Sequence, residues 1–136
     1  MDLMHSLAVA ASGLRAQAGR MRVIAENLAN ADSTGDTPGA RPYRRQIPTF
    51  AAHFDRTIGA DTVQMTGVVP DESAFQRRLM PGHPAADSKG YVLFPNVNPL
   101  VEQMDLKEAQ RSYEANLGVI GATRKMVART LDILKA

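Results

Sequence analysis

A chain of 136 residues with 44% apolar and 22% charged residues has the length of one domain, and its net charge of +2 is too small to demand a nucleic-acid or membrane partner. It contains no cysteine and no tryptophan and only 5% aromatics. That composition excludes disulfides, thiolate zinc sites and cysteine nucleophiles, and it leaves few stacking platforms for single-stranded nucleic acid.

The first predicted element is a helix over residues 1–31. Its apolar residues Met4, Leu7, Ala11, Leu14, Ala18, Met21, Ala25 and Leu28 keep a three-four spacing, which is the repeat of helices wound on partner helices. Large and small layers alternate, so backbones can approach closely at Ala11, Ala18 and Ala25. Asp2 suits the positive end of the helix dipole, and Asn30, Asp32, Ser33, Thr34 and Gly35 supply a stop. The run Leu7 to Ala11 with Ala8-Val9-Ala10 imitates a signal peptide, but Asp2 precedes it without any Lys or Arg, and cleavage would sever the heptad. The N-terminus is expected to be kept.

Residues 32–97 form the second predicted segment. All eight prolines fall between positions 32 and 99, as do Gly35, Gly39, Gly59, Gly67, Gly82 and Gly90, so this middle reads as loop and short strand. Strands are expected over Tyr43–Phe50, with Pro48 demoting it to an edge or a turn, over Thr62–Val69 and over Gly90–Phe94. Arg41, Arg44 and Arg45 are the densest basic cluster; they suit acidic lipid or a carboxylate-rich partner surface, but such a cluster is more often a solvated loop. Pro81-Gly82-His83-Pro84 reads as a turn.

The third predicted segment, residues 98–136, is a helix opened by Asn98 as N-cap and Pro99 at the first helical position, with Glu102 and Asp105 early along the dipole. Leu106, Tyr113, Ile120, Val127 and Leu134 recur every seven residues, flanked by Leu117 and Leu131 on one side and by Val119, Met126 and Ile133 on the other. The fold class expected is therefore mainly α, with two long terminal helices forming a coiled-coil-like pair, one assembly domain, around a Pro/Gly-rich middle containing short strands. Whether the helices pair within one chain or between chains is open at this level, since an intrachain hairpin can also be the building block of an assembly. Polar groups beside the seams, Asn27 and Asn30 in the first helix and Arg111, Glu114 and Asn116 in the last, suit register selection.

Chemistry is hard to find. His5, His53 and His83 lie far apart with no ligand spacing, and no phosphate loop, dinucleotide fingerprint or nucleophile elbow is present. No enzyme activity and no cofactor or metal is expected. No apolar run approaches the roughly 20 residues of a transmembrane helix, so no lipid insertion is expected either. Two functional classes remain: an axial structural protein that assembles by its ends, and a small soluble adaptor or chaperone with one exposed seam.

Several stretches then carry a resemblance. The run from Ala11 to Gln17, continuing from Arg20 to Ser33 with Asn27 and Asn30, resembles the signature of bacterial flagellar rod and hook proteins. Pro81, Gly82, His83 and Pro84, then Gly90 and Tyr91, then Pro95 and Asn96, and finally Arg111, Tyr113, Ala115 and Asn116 are similar to the proximal-rod members of that family. One departure is visible: Gln103 follows Glu102 and Met104 is displaced by one, where the family commonly has Glu-Met. The resemblance implies a structural subunit of the proximal rod in the flagellar basal body, within the periplasm, exported by a type III apparatus without a cleaved signal. It implies that the terminal helices line the export channel and transmit torque. The partners implied are further copies, other rod proteins, and the export gate and inner-membrane ring at the proximal end.

Overall fold

The computed structural model describes residues 2–136, in the order α1 (Leu3–Ala29), β1 (Gln46–Asp55), β2 (Ala60–Pro70), β3 (Gln76–Leu79), β4 (Tyr91–Phe94) and α2 (Pro99–Lys135). Asp2 caps α1, its Oδ1 accepting the Met4 amide at 2.9 Å. The helix ends where Asn30 turns its side-chain amide back to the Glu26 carbonyl at 2.8 Å and Ser33 bonds the Asn30 carbonyl at 2.9 Å. Asn98 caps α2 through the Leu100 amide at 3.1 Å, and Pro99 occupies the first helical position, where its missing N–H costs nothing. Among the described residues no helix is long and apolar enough to cross a membrane.

The expectation of a mainly α fold is corrected. Helix accounts for 47% of the chain and strand for 21%, in two small antiparallel sheets, so the architecture is α and β together. The first sheet pairs β1 with β2, strands of 10 and 11 residues. They are joined by a tight turn in which the Gly59 amide bonds the Asp55 carbonyl at 2.8 Å and Gly59 takes a φ of 63°. β1 runs on past Phe50 through Ala51, Ala52 and His53, residues of low strand propensity, because the partner strand supplies the ladder. Pro48 is tolerated since each strand of a two-stranded sheet has a free edge.

The second sheet pairs β3 with β4 in antiparallel register, Gln76 opposite Phe94 and Leu79 opposite Tyr91. β3 reads Gln-Arg-Arg-Leu, is exposed throughout and has no β-branched residue, so no propensity announced it. Its arginines cover the aromatic rings of β4: Arg78 lies 4.1 Å from the Phe94 centroid and Arg77 4.6 Å from that of Tyr91.

The chain divides into two compact units. Unit 1 comprises Met1–Met21, Thr49–Gly67 and Lys107–Ala136, and unit 2 comprises Arg22–Pro48 and Val68–Leu106. Unit 2 holds the larger buried side chains, Val23, Ile24, Val92, Phe94 and Val97, with Ala85 packed on Val92 and Phe94. In unit 1 the buried residues are all small: Ala10, Ser12, Ala16, Ala109 and Thr123.

The two long terminal helices are present, and within the chain they do not meet along the α1 heptad. In unit 1 the helices meet at Gly13, where an added methyl would lie 2.8 Å from Asn116 Nδ2, and through Arg20 and Glu108 at 3.6 Å. Neither Gly13 nor Arg20 belongs to the α1 heptad. The hairpin approaches the neighbouring stripe of α1, the Val63 backbone amide donating to Ser12 Oγ at 3.2 Å and the Met65 side chain lying against Gly19.

Candidate functional site

At about 100° per residue, Ser12, Ala16, Gly19, Val23 and Asn27 fall within one quadrant of α1, and this is the stripe its own chain covers. The heptad Met4, Leu7, Ala11, Leu14, Ala18, Met21, Ala25 and Leu28 is centred roughly half a turn away. None of those eight residues is buried. Met4, Ala18 and Ala25 are exposed, and Leu7, Ala11, Leu14, Met21 and Leu28 are half-buried.

The α2 helix tells a related story. Its covered face runs through Glu102, Ala109 and Thr123, with Leu106, Tyr113, Ile120 and Val127 half-buried beside it. Of the remaining interface residues singled out from sequence, Leu117, Leu131 and Leu134 are exposed. A further apolar stripe lies on the far side of α2: Met104, Ala115, Val119, Ala122, Met126 and Ile133, all exposed, with Met126 at 53% and Ile133 at 75%. The sequence reading had treated Val119, Met126 and Ile133 only as flanks. Their seven-residue recurrence, continued by Ala115 and Ala122, was the available signal.

Unit 1 thus combines a core of small residues with a surface of large ones, the reverse of a self-sufficient domain. A cleft of about 500 Å³, lined by His5, Ser6, Val9, Ala10, Ala60, Asn116 and Val119, opens among these exposed groups.

The residues that carried the family resemblance divide between capping, turn and core roles. Asn27 is buried and fully bonded: its Nδ2 donates to the Gln46 carbonyl at 2.9 Å and to Glu102 Oε2 at 3.3 Å, while Oδ1 accepts from Tyr43 Oη at 2.8 Å and from the Gln46 amide at 2.9 Å. Asn96 accepts the Arg45 amide at 2.8 Å and donates to the carbonyls of Asp71 and Ser73 at 3.0 and 3.1 Å. His83 accepts the Ala85 amide on Nδ1 at 3.0 Å, which leaves Nε2, 3.3 Å from Thr34 Oγ1, to carry the proton. Gly90 takes a φ of 83° and its carbonyl accepts the Met80 amide at 2.8 Å, closing the turn that starts at exposed Pro81, Gly82 and Pro84. Tyr91 lies under Arg77, and Pro95 is buried. Arg111 and Ala115 are exposed, Tyr113 and Asn116 half-buried.

Sequence reading missed the charged partners of Asn27. Arg45, assigned to a solvated loop, bonds Glu102 through Nε and reaches Asp71 at 3.3 Å and Asp105 at 3.7 Å. Burial pulls the Arg45 guanidinium down, but its hydrogen bond to Glu102, the charge of Glu102 and then Asp71 raise it above its ordinary value. Burial, with the charges of Glu26 and Glu102, pushes the Tyr43 hydroxyl up. The Ser73 amide, then its hydroxyl, with Arg45 after them, hold Asp71 below the usual carboxylate range. Among the described residues no three His, Asp or Glu side chains are grouped to hold a metal ion. What the arrangement offers is surface.

Both ends of the chain match known families. Residues 7–35 match the family described as flagella basal body rod protein, and residues 88–133 match the flagellar basal body rod FlgEFG protein C-terminal family. The two helices and their flanks therefore define a flagellar basal-body rod protein. The flagellar basal-body rod protein FlgC of Agrobacterium fabrum is 51% identical over 94% of this chain and 92% of its own length. Those of Escherichia coli and Bacillus subtilis are each 37% identical, over 98% and 99% of this chain and 98% and 100% of their own lengths. The chain belongs to the FlgC family, as a structural subunit of the flagellar basal-body rod.

Proposed function

We propose that the outward stripes of α1 and α2 are the surfaces by which this subunit joins copies of itself and other rod proteins in the proximal rod. One observation carries the reading: Leu117, Leu131 and Leu134 of the α2 heptad, Met4, Ala18 and Ala25 of the α1 heptad and the stripe of Val119, Met126 and Ile133 are all exposed within the chain, in stretches that match rod families. The inverted burial of unit 1 supports it. Leu117, Met126, Leu131, Ile133 and Leu134 are each 50–77% exposed, so covering them contributes about 1–2 kcal/mol apiece, roughly 5–10 kcal/mol together. Bringing two molecules together costs on the order of 4–15 kcal/mol. A single such contact is marginal, and several shared among neighbours hold a shaft. Head-to-tail contacts that do not close into a ring generate the helical filament a shaft needs.

The finer role is part of the same proposal. The rod spans the periplasm and transmits torque, its helices line the export channel, and its proximal end meets the export gate and inner-membrane ring. The subunit reaches its place through the type III apparatus.

Met126→Asp and Ile133→Asp test the reading. The isolated variants should keep the helix and sheet signals of the parent chain, because both side chains are mostly exposed within it. Cells carrying either in place of the parent should form no rod and should not swim. Normal swimming with both would overturn the proposal.

A further inference from the structure

Glu102 is 0% exposed, and the groups that satisfy it come from distant parts of the chain. Arg45, from the base of the hairpin, takes one oxygen, and Asn27, from the last turns of α1, takes the other at 3.3 Å. Asn27 has no spare capacity, since Tyr43 and the two backbone groups of Gln46 use the rest. Arg45 in turn is held by Asn96 through its backbone amide and by Asp71 through Nη1 at 3.3 Å. Removing any member leaves a buried polar group unpaired, and a buried charge whose partner is lost is among the most destabilising changes a fold can suffer.

We infer that this network is a closing lock. The end of α1, the base of the hairpin and the start of α2 become ordered together or not at all, so unit 2 exists as one cooperative body in the isolated chain, before any neighbour docks. Among its described residues unit 1 has no buried charge of this kind. Threonines tie its two strands together, Thr49 to Thr66 at 2.8 Å and Thr62 to the His53 carbonyl at 3.0 Å; the Val63 amide donates to Ser12 Oγ, Arg20 and Glu108 pair at the surface, and the core is of small residues. Assembly accordingly starts from a subunit half of which is already closed. This goes beyond the assembly reading and is tested without any rod.

Native-state hydrogen exchange on the full chain, read by mass spectrometry, decides it. In the parent chain the amide-bearing residues of 22–29, 46–48 and 99–106, Pro48 and Pro99 having no N–H, should share one protection factor. Glu102→Leu should lower protection in all three stretches together, by about 100-fold or more, the loss expected when a buried ion pair loses one partner. The double variant Arg45→Met with Glu102→Leu replaces both charges by apolar groups and should recover protection to within about tenfold of the parent. That recovery keeps the test decisive even where the single variant opens unit 2 completely. Loss confined to 99–106 in the single variant, or a double variant as unprotected as the single, overturns the lock.

Discussion

Gly118 and Gly121 lie in the middle of α2, and a methyl added at either would meet nothing within 4 Å in the chain. In an isolated subunit such glycines only weaken the helix. Replacing each by Ala recovers about 0.8–1.0 kcal/mol of helix propensity, so Gly118→Ala with Gly121→Ala should stabilise the free chain by roughly 2 kcal/mol. For a chain of this size that is a rise in melting temperature of about 5–10 °C, read by circular dichroism at 222 nm. The Gly13→Ala control should not show the same gain, because its methyl would sit 2.8 Å from Asn116 Nδ2, whose amide is tied to the Ser112 carbonyl at 3.1 Å. In the rod the sign should reverse. Where a neighbouring helix packs closely on that face, the extra methyls cost about 1–3 kcal/mol per contact, and every copy repeats the cost. The double variant should therefore be more stable as a free chain and defective in rod assembly and swimming. A variant that melts higher and also builds normal rods would refute the claim that a neighbour packs there. One that melts lower would refute the open space around the two glycines.

Two further outcomes concern unit 2. Asn98→Ala removes the acceptor for the first amides of α2 and should cost about 1 kcal/mol in urea unfolding, with little change in the slope. Asp71 has a folded-state pKa below its unfolded value, so it adds stability above the unfolded pKa and loses it as pH falls through the folded one. The urea midpoint should drop as pH is lowered beneath about 4, the ordinary aspartate range, and Asp71→Asn should flatten that acid limb. An unchanged acid limb in the variant would show that Asp71 does not supply it.

The helix ends were legible because their signals are local: Asp2, Asn98 and Pro99 act on amides within three residues. The strands were legible only in part. Thr62–Val69 lies within β2 and Tyr91–Phe94 forms β4, where β-branched and aromatic residues cluster, whereas Gln76–Leu79 owes its strand to pairing with β4 and to arginines lying over aromatic rings. The mainly α expectation failed for that reason, since cross-strand pairing extends strands beyond what propensity marks. The covered stripe of α1 was hidden because Ser12, Ala16 and Asn27 are small or polar, while no residue of the apolar heptad that draws the eye is fully buried. The partners of Glu102 could not be read at all: Asn27 lies 75 positions from it and Arg45 57. Family membership, by contrast, was written in short contiguous motifs, and the comparisons with known relatives show it.

The chain has no cysteine, so a single introduced thiol reports on its own position without background. The most direct test of the assembly claim is maleimide labelling of Ala18→Cys and Ala122→Cys, measured on the isolated chain and on purified basal bodies. Both side chains are exposed in the chain. The account predicts rapid labelling of the free subunit and strong protection at both positions in the rod. Equal reactivity in the two states would mean that the outward stripes stay open to solvent after assembly, and the account would be wrong.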